Sequence, residues 1–219
     1  MRLYIRDDVH MATVGDDVVC LDLQDGSYSC LPGMGGAVGP IGVDGGVDIP
    51  MPEIVELLEA SGLLAEAPPA AVRPLAPNLP MPSASAWRTG EAMPTSADRR
   101  RMARACASMV GRYWGRSFVH LVRHAASGRA GARLGTVDPD VVRDARLFDQ
   151  MMPAVPFQGE CLFRSAMLLA FLRLAGRDAR WVIGVQTHPF LAHCWLQVGD
   201  TVLDDAAERV CGFIPILTI

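Results

Sequence analysis

Seven prolines fall between residues 68 and 94: Pro68, Pro69, Pro74, Pro77, Pro80, Pro82 and Pro94, with Ala, Ser and Met filling most of the gaps. Proline removes a backbone donor and fixes φ, so a run this dense forbids regular helix and reads as an extended, semi-rigid linker. The chain is therefore predicted to fold as two units, residues 1–75 and residues 96–219, with 76–95 between them. The charges divide the same way. Residues 1–75 carry 3 Arg against 12 acidic side chains, and residues 76–219 carry 17 Arg against 12, with no lysine anywhere. Either the two units meet different partners, or the asymmetry follows from composition alone. The arginines are scattered and few aromatics lie between them, so no nucleic-acid footprint is present.

The longest apolar run, Ala166 to Leu172, is far short of the roughly 20 residues that span a bilayer. The start, Met1-Arg2-Leu3-Tyr4-Ile5-Arg6-Asp7-Asp8, breaks into charge before any apolar core of a signal peptide forms. The expectation is a soluble, cytoplasmic protein. The six cysteines form no C-x-x-C pair, which fits reduced thiols and argues against a zinc site.

The first unit reads as short strands. Arg2 to Arg6 and Val9 to Val14 are bounded by Asp pairs. Val18 to Leu23 and Ser27 to Leu31 flank Gln24-Asp25-Gly26, a strong hairpin signal. With Gln24 paired to Ser27, one face carries Leu21, Leu23, Tyr28 and Cys30, and the other Cys20, Asp22, Gln24, Ser27 and Ser29. The period of two predicts one apolar and one polar face, with Cys20 and Cys30 on opposite sides. Residues 33–50, rich in Gly and Asp, read as loop or very short helix. Pro52 then starts a helix with Ile54, Leu57 and Leu58 on one side, closed by Gly62. In the second unit helices come first: from Asp98 through Tyr113, Ser117 to Ala126, Asp140 to Gln150, and from Cys161 to about Leu174. Strands follow at Ala179 to Gln186, His193 to Val198, Thr201 to Leu203 and Phe213 to Ile216. That order indicates an α+β domain.

The candidate chemistry lies where helices give way to strands. Cys161 opens the apolar helix, His193 follows on a strand, and Asp205 closes the next one. A thiol near its ordinary pKa is mostly protonated at neutral pH, and a helix N-terminus or a nearby imidazolium favours the thiolate that attacks. His193 is placed to take the thiol proton and return it to a leaving amine. Asp205 is placed to hold the imidazole by its second nitrogen, across the Gly199-Asp200 turn. The same trio serves hydrolysis or transfer of an acyl group to an amine. Gln158 either donates to an oxyanion or is plain loop; the amide of Cys161 is the better donor. Arg164 and Ser165 either orient the site or pack and cap the helix. His188 reads as structural or surface. Trp181 and Trp195 are expected to pack beneath the site, and Cys194 to be core.

Three segments carry a resemblance. Cys161-Leu162-Phe163-Arg164-Ser165-Ala166-Met167-Leu168-Leu169-Ala170-Phe171-Leu172-Arg173 resembles the nucleophile helix of lasso peptide leader peptidases, the B proteins of lasso peptide biosynthesis. Gly184-Val185-Gln186-Thr187-His188-Pro189-Phe190-Leu191-Ala192-His193-Cys194-Trp195 is similar to their second motif, with Cys194 where Ala is commoner. Val202-Leu203-Asp204-Asp205 is similar to their third, with Asp204 where Asn is common. The spacings, 32 residues from Cys161 to His193 and 12 from His193 to Asp205, follow the family's arrangement. The resemblance implies a transglutaminase-like, papain-like fold for residues 96–219 and a Cys161–His193–Asp205 cysteine peptidase needing no metal or cofactor. It also implies that the first unit resembles the precursor-recognition domain of these pathways, a winged-helix fold like the pyrroloquinoline quinone chaperone. There the leader adds as a strand beside the third strand and packs on the last helix, here Ser27, Tyr28, Ser29, Cys30 and Leu31 with Ile54, Leu57 and Leu58. The implied partners are a lasso precursor and an ATP-dependent, asparagine-synthetase-like cyclase. Two alternatives stand beside leader cleavage: amide transfer at the same site, and a non-catalytic precursor chaperone.

Overall fold

A computed structural model describes residues 2–39, 41–42, 44–68, 79–86, 93–113, 117–127, 137–155 and 160–219. The N-terminal unit begins with strands β1 (Arg2–Ile5), β2 (Val9–Val14), β3 (Asp17–Asp22), β4 (Tyr28–Leu31) and β5 (Gly46–Asp48), followed by α1 (Pro52–Ala60) and β6 (Leu64–Ala65). These make two small sheets, ordered β5-β1-β6 and β2-β3-β4. Helix α1 starts on Pro52, where a missing N–H costs nothing, and buries Ile54, Val55 and Leu58. Strand β5 replaces part of what reads as loop: Arg2, Leu3 and Tyr4 pair with Asp48, Val47 and Gly46. The alternation there is too short to show in sequence.

The hairpin differs from its sequence reading in register and in burial. Asp22, not Gln24, closes the ladder with Ser27, and Leu21 pairs with Tyr28. Asp25 accepts from the Ser27 amide and Gly26 takes φ +75°, so the loop is longer than two residues. The shift by two leaves Cys20 and Cys30 on opposite faces, and both are free thiols. The predicted polar face is not polar, however. Val18 and Cys20 pack with Ile5, Leu31, Ile54 and Leu58 in the small core of the N-terminal unit. Val19, Leu21 and Leu23, on the other face, join the core of the C-terminal unit. β3 is a central strand covered on both sides, and a single chain's alternation does not reveal a second cover.

The C-terminal unit contains β7 (Ala84–Ser85), α2 (Ser96–Tyr113), α3 (Phe118–Ser127), α4 (Pro139–Met151), α5 (Cys161–Arg173), β8 (Arg180–Gln186), β9 (Leu191–Val198), β10 (Thr201–Val202), α6 (Ala207–Val210) and β11 (Ile214–Thr218). Its sheet runs β11-β8-β9-β10-β7. Two residues inside the proline-rich stretch thus become an edge strand: β7 pairs with β10 in parallel, and Gln197 donates to the Pro80 carbonyl at 2.8 Å. Short pairing of this kind escapes a composition argument. Helix α5 is apolar nearly all round, because α2 and α4 cover one side and β9 the other. Met167, Leu168, Phe171 and Leu172 are fully buried in it. A cluster of charges locks the helices: Arg101 makes two bonds to the buried Asp144 at 2.8 and 2.9 Å, and Arg177 bonds both Asp144 and Asp140 at 2.6 Å. Strand β2 lies against β11, so the two units meet along a sheet face as well as through the shared core.

Candidate active site

Three elements bring three side chains together. Cys161 is the first residue of α5, and the preceding Glu160 offers no side-chain cap. The first amides of a helix have no intrahelical partner, so the positive end of α5 faces the thiol. His193 stands on β9 opposite Gly184 of β8. A Cβ at Gly184 would lie 2.8 Å from the Trp195 ring and 2.9 Å from Phe213, so only glycine admits the aromatic packing beneath His193. The His193 ring lies 5.4 Å from that of Phe213 and 6.2 Å from that of Trp195, centre to centre. Asp205 follows β10 and accepts from its neighbour's amide, Ala206 N–H, at 2.8 Å. Its other oxygen meets His193 Nε2 at 2.7 Å. With Nε2 so engaged, the ring faces the Cys161 thiol on its other side.

The electrostatics of the three agree. Cys161 lies far below the ordinary thiol range, through the hydrogen bond from the Cys194 thiol first and that with His193 second, which together outweigh burial. Cys194 is pushed far up, by its hydrogen bond to Cys161 first, then by burial and the Cys161 charge, so it is the donor of the pair. For His193, burial alone favours the neutral ring; Asp205 and Cys161 overcome it and raise the imidazole to about 9. Asp205 is lowered, since His193 and the Ala206 amide outweigh the burial that opposes them. A thiolate, an imidazolium and a carboxylate therefore coexist at neutral pH. Asp204 behaves differently: burial raises it to about 7, and its Oδ1 accepts from the Leu196 amide at 2.8 Å. It braces β9 and does not contact His193.

These groups open on a cleft of about 320 Å³. Cys161, His193 and Cys194 line it, together with Gly26 and Tyr28 of the N-terminal unit. What the arrangement can do chemically is attack a carbonyl with a thiolate while an imidazolium waits to protonate the leaving group.

Residues 106–218 match the family model of the transglutaminase-like superfamily. The chain belongs to this superfamily. The microcin J25-processing protein McjB of Escherichia coli is 44% identical over 50 residues, 23% of this chain. The match spans about a quarter (24%) of that relative's length. No solved structure matches the chain.

In this transglutaminase-like domain Trp181 and Trp195 are buried, at 0% and 1% exposure. Trp181 Nε1–H donates to Ser165 Oγ, and Ser165 donates to the Cys161 carbonyl, each at 2.8 Å. Ser165 thus ties α5 to β8 from inside the core. Arg164 pairs with Asp149 of α4. His188 is exposed and pairs with Asp17 at 3.1 Å, linking the two units. Gln158 lies outside the described residues. Cys194 is core, at 4% exposure, but it also touches the candidate nucleophile, which alternation alone did not indicate. Phe213 and Tyr28 were missed as neighbours of the site; they reach it through tertiary packing and carry no local signal.

The predicted leader-binding residues are only partly presented. Ser27, Ser29 and Cys30 are exposed, and Leu57 is half exposed at 50%. Ile54, Leu58 and Leu31 are not available as the structure stands: they fill the small core, because α1 turns that side of its helix toward β1 and β3. Among the described residues nothing pairs with the outer edge of β4. The Asp22–Ser27 bond and the alternation of an antiparallel ladder turn Ser29 toward β3 and the N–H groups of Tyr28 and Cys30 outward. No helix among the described residues is long and apolar enough to cross a membrane.

Proposed function

We propose that this chain is a cysteine endopeptidase that binds and removes the leader of a ribosomally made lasso precursor before macrolactam closure. The observation that carries the reading is the unbroken contact from Cys161 through His193 to Asp205, begun at a helix N-terminus and opened to a cleft. The Cys161 thiolate attacks the peptide carbonyl next to the core, and the negative charge on oxygen is met by the amide of Cys161, which as the first of the helix has no intrahelical partner. His193 then gives its proton to the departing amine, and water releases the leader as a carboxylate. The resemblance of the three motifs to lasso leader peptidases supports the choice of substrate, as does the local identity with a microcin J25-processing protein.

The N-terminal unit is the leader-binding part. Its exposed β4 edge offers outward donors to an added strand, and Leu57 offers an apolar anchor beside it. Its likeness to the winged-helix precursor-binding fold rests on the hairpin, since its described residues hold a single helix. The working partner is the ATP-dependent cyclase. The test is to incubate full-length protein with a synthetic precursor, with and without cyclase, and to weigh the products. Free leader ending in a carboxylate is the expected product. A leader carrying an added amine would assign the site to acyl transfer, and an untouched precursor would refute both.

A further inference from the structure

The division into a binding unit and a cutting unit does not hold at the cleft itself. Gly26 and Tyr28, from the β3–β4 hairpin, line the same cleft as Cys161 and His193. The hairpin tip is seated: a Cβ at Gly26 would stand 3.4 Å from Phe118 at the start of α3. The Tyr28 ring packs on the Phe190 ring, with centres 5.5 Å apart and planes at 56°. Leu21, its partner across the ladder, is wholly buried in the core shared with the C-terminal unit. The ring is thus held from behind and from one side, with its remaining surface toward the cleft. Burial first, and the neighbouring thiols second, raise the phenol to about 12, so this surface is uncharged at any working pH. The nearby lining is apolar, with Phe118, Leu162 and Ile183, and Glu160 adds one carboxylate at the helix start.

We propose that Tyr28 is a specificity-determining residue of the cysteine site: its ring is the surface on which the substrate side chain adjoining the scissile carbonyl packs. The unit that binds the leader therefore also helps to choose the bond that is cut. This deepens the peptidase reading and rests on Cys161 being its nucleophile. A flat aromatic surface in an apolar cleft favours an apolar side chain over a charged one, because a carboxylate packed on the ring face loses water. Differences of a few apolar atoms in such a pocket change rates by about tenfold or more.

The test uses the full chain and peptidyl chloromethyl ketones bearing Leu or Asp next to the reacting carbon, with iodoacetamide as a small control. Alkylation of Cys161 is followed by mass spectrometry for wild type, Tyr28→Ala and Tyr28→Phe. Wild type is expected to prefer the Leu reagent by about tenfold or more. Tyr28→Ala should reduce that ratio to about threefold or less, and Tyr28→Phe should keep it, while all three react alike with iodoacetamide. The inference is overturned if Tyr28→Ala keeps the wild-type ratio, or if Tyr28→Phe loses it as Tyr28→Ala does. It is overturned too if wild type shows no preference, or if iodoacetamide and the ketones slow by the same factor in Tyr28→Ala. The ratios are read without precursor cleavage, so an uncut precursor would defeat the lasso reading while leaving this result to stand or fall separately.

Discussion

Replacing Asp205 by Asn keeps the shape of the side chain and removes its charge. In the native site a buried carboxylate meets His193 Nε2 at 2.7 Å, with both side chains 11% exposed. A hydrogen bond to a charged partner in such a setting is worth about 1.5–3 kcal/mol. Since 1.36 kcal/mol corresponds to one pH unit, the imidazolium should lose its proton roughly one to two pH units lower in the variant. The sign follows from the roles. The proposed peptidase reaction needs the Cys161 thiolate and protonated His193 together. Activity therefore falls at low pH as the thiolate is protonated, and falls at high pH as His193 passes about 9. In Asp205→Asn the alkaline limb should move toward neutrality and the acid limb should move little. The plateau should drop as well, by on the order of 10³–10⁴-fold, because an Asn can also select the wrong tautomer of the ring. Asp204→Asn should change little, since Asn still accepts from the Leu196 amide. The assay is initial rates of precursor cleavage from pH 5 to 10 for the three proteins. An alkaline limb unmoved in Asp205→Asn, or a greater loss in Asp204→Asn, would refute the assignment.

Cys161→Ala should abolish cleavage while leaving the affinity for a labelled leader unchanged by fluorescence polarisation; cleavage at the wild-type rate would remove Cys161 from the mechanism. Cys30→Pro removes one outward N–H from an edge strand, a position where proline is tolerated, so leader affinity should fall while thermal unfolding stays close to wild type. Unchanged affinity would rule out strand addition at β4. Leu21→Ala, at 0% exposure in the core joining the units, should cost about 2–5 kcal/mol and lower one common transition in calorimetry. Two separate transitions, with only one of them lowered, would show that the units fold independently.

The parts of the fold that were legible in sequence are those written in local chemistry. Pro52 starts a helix, and α5 announces itself by an apolar run too long for an edge element. Of the proposed trio, His193 and Asp205 meet at 2.7 Å, and Cys161 opens α5 on the same cleft as His193. What was hidden depends on partners distant in the chain. Cys20 and Val18 look like one side of an ordinary amphipathic hairpin until β1 and α1 cover them. Ala84 and Ser85 look like linker until β10 supplies a ladder. Helical spacing put Ile54 and Leu58 on one side of α1, and the family resemblance made that side an anchor for the leader, but the same spacing marks a core face, and periodicity cannot tell inward burial from an open groove.

The acidic surplus of residues 1–75 left two readings open, separate partners or composition alone, and part of that acid is spent inside the molecule. Asp8 and Asp22 hold Arg6, Asp44 holds Arg2, and Asp17 reaches across to His188 beside the cleft. That last pair, the Tyr28–Phe190 contact and the shared core fix the hairpin against the β8–β9 turn and the C-terminal unit at three separate points. A flexible tether raises the local concentration of a substrate over a range of distances; a shared core holds it at one. A leader laid on β4 would then meet the thiol in a geometry set by packing. On the proposed reading, Gly26 and the ring of Tyr28 are where the leader-binding hairpin reaches the cleft of Cys161 and His193.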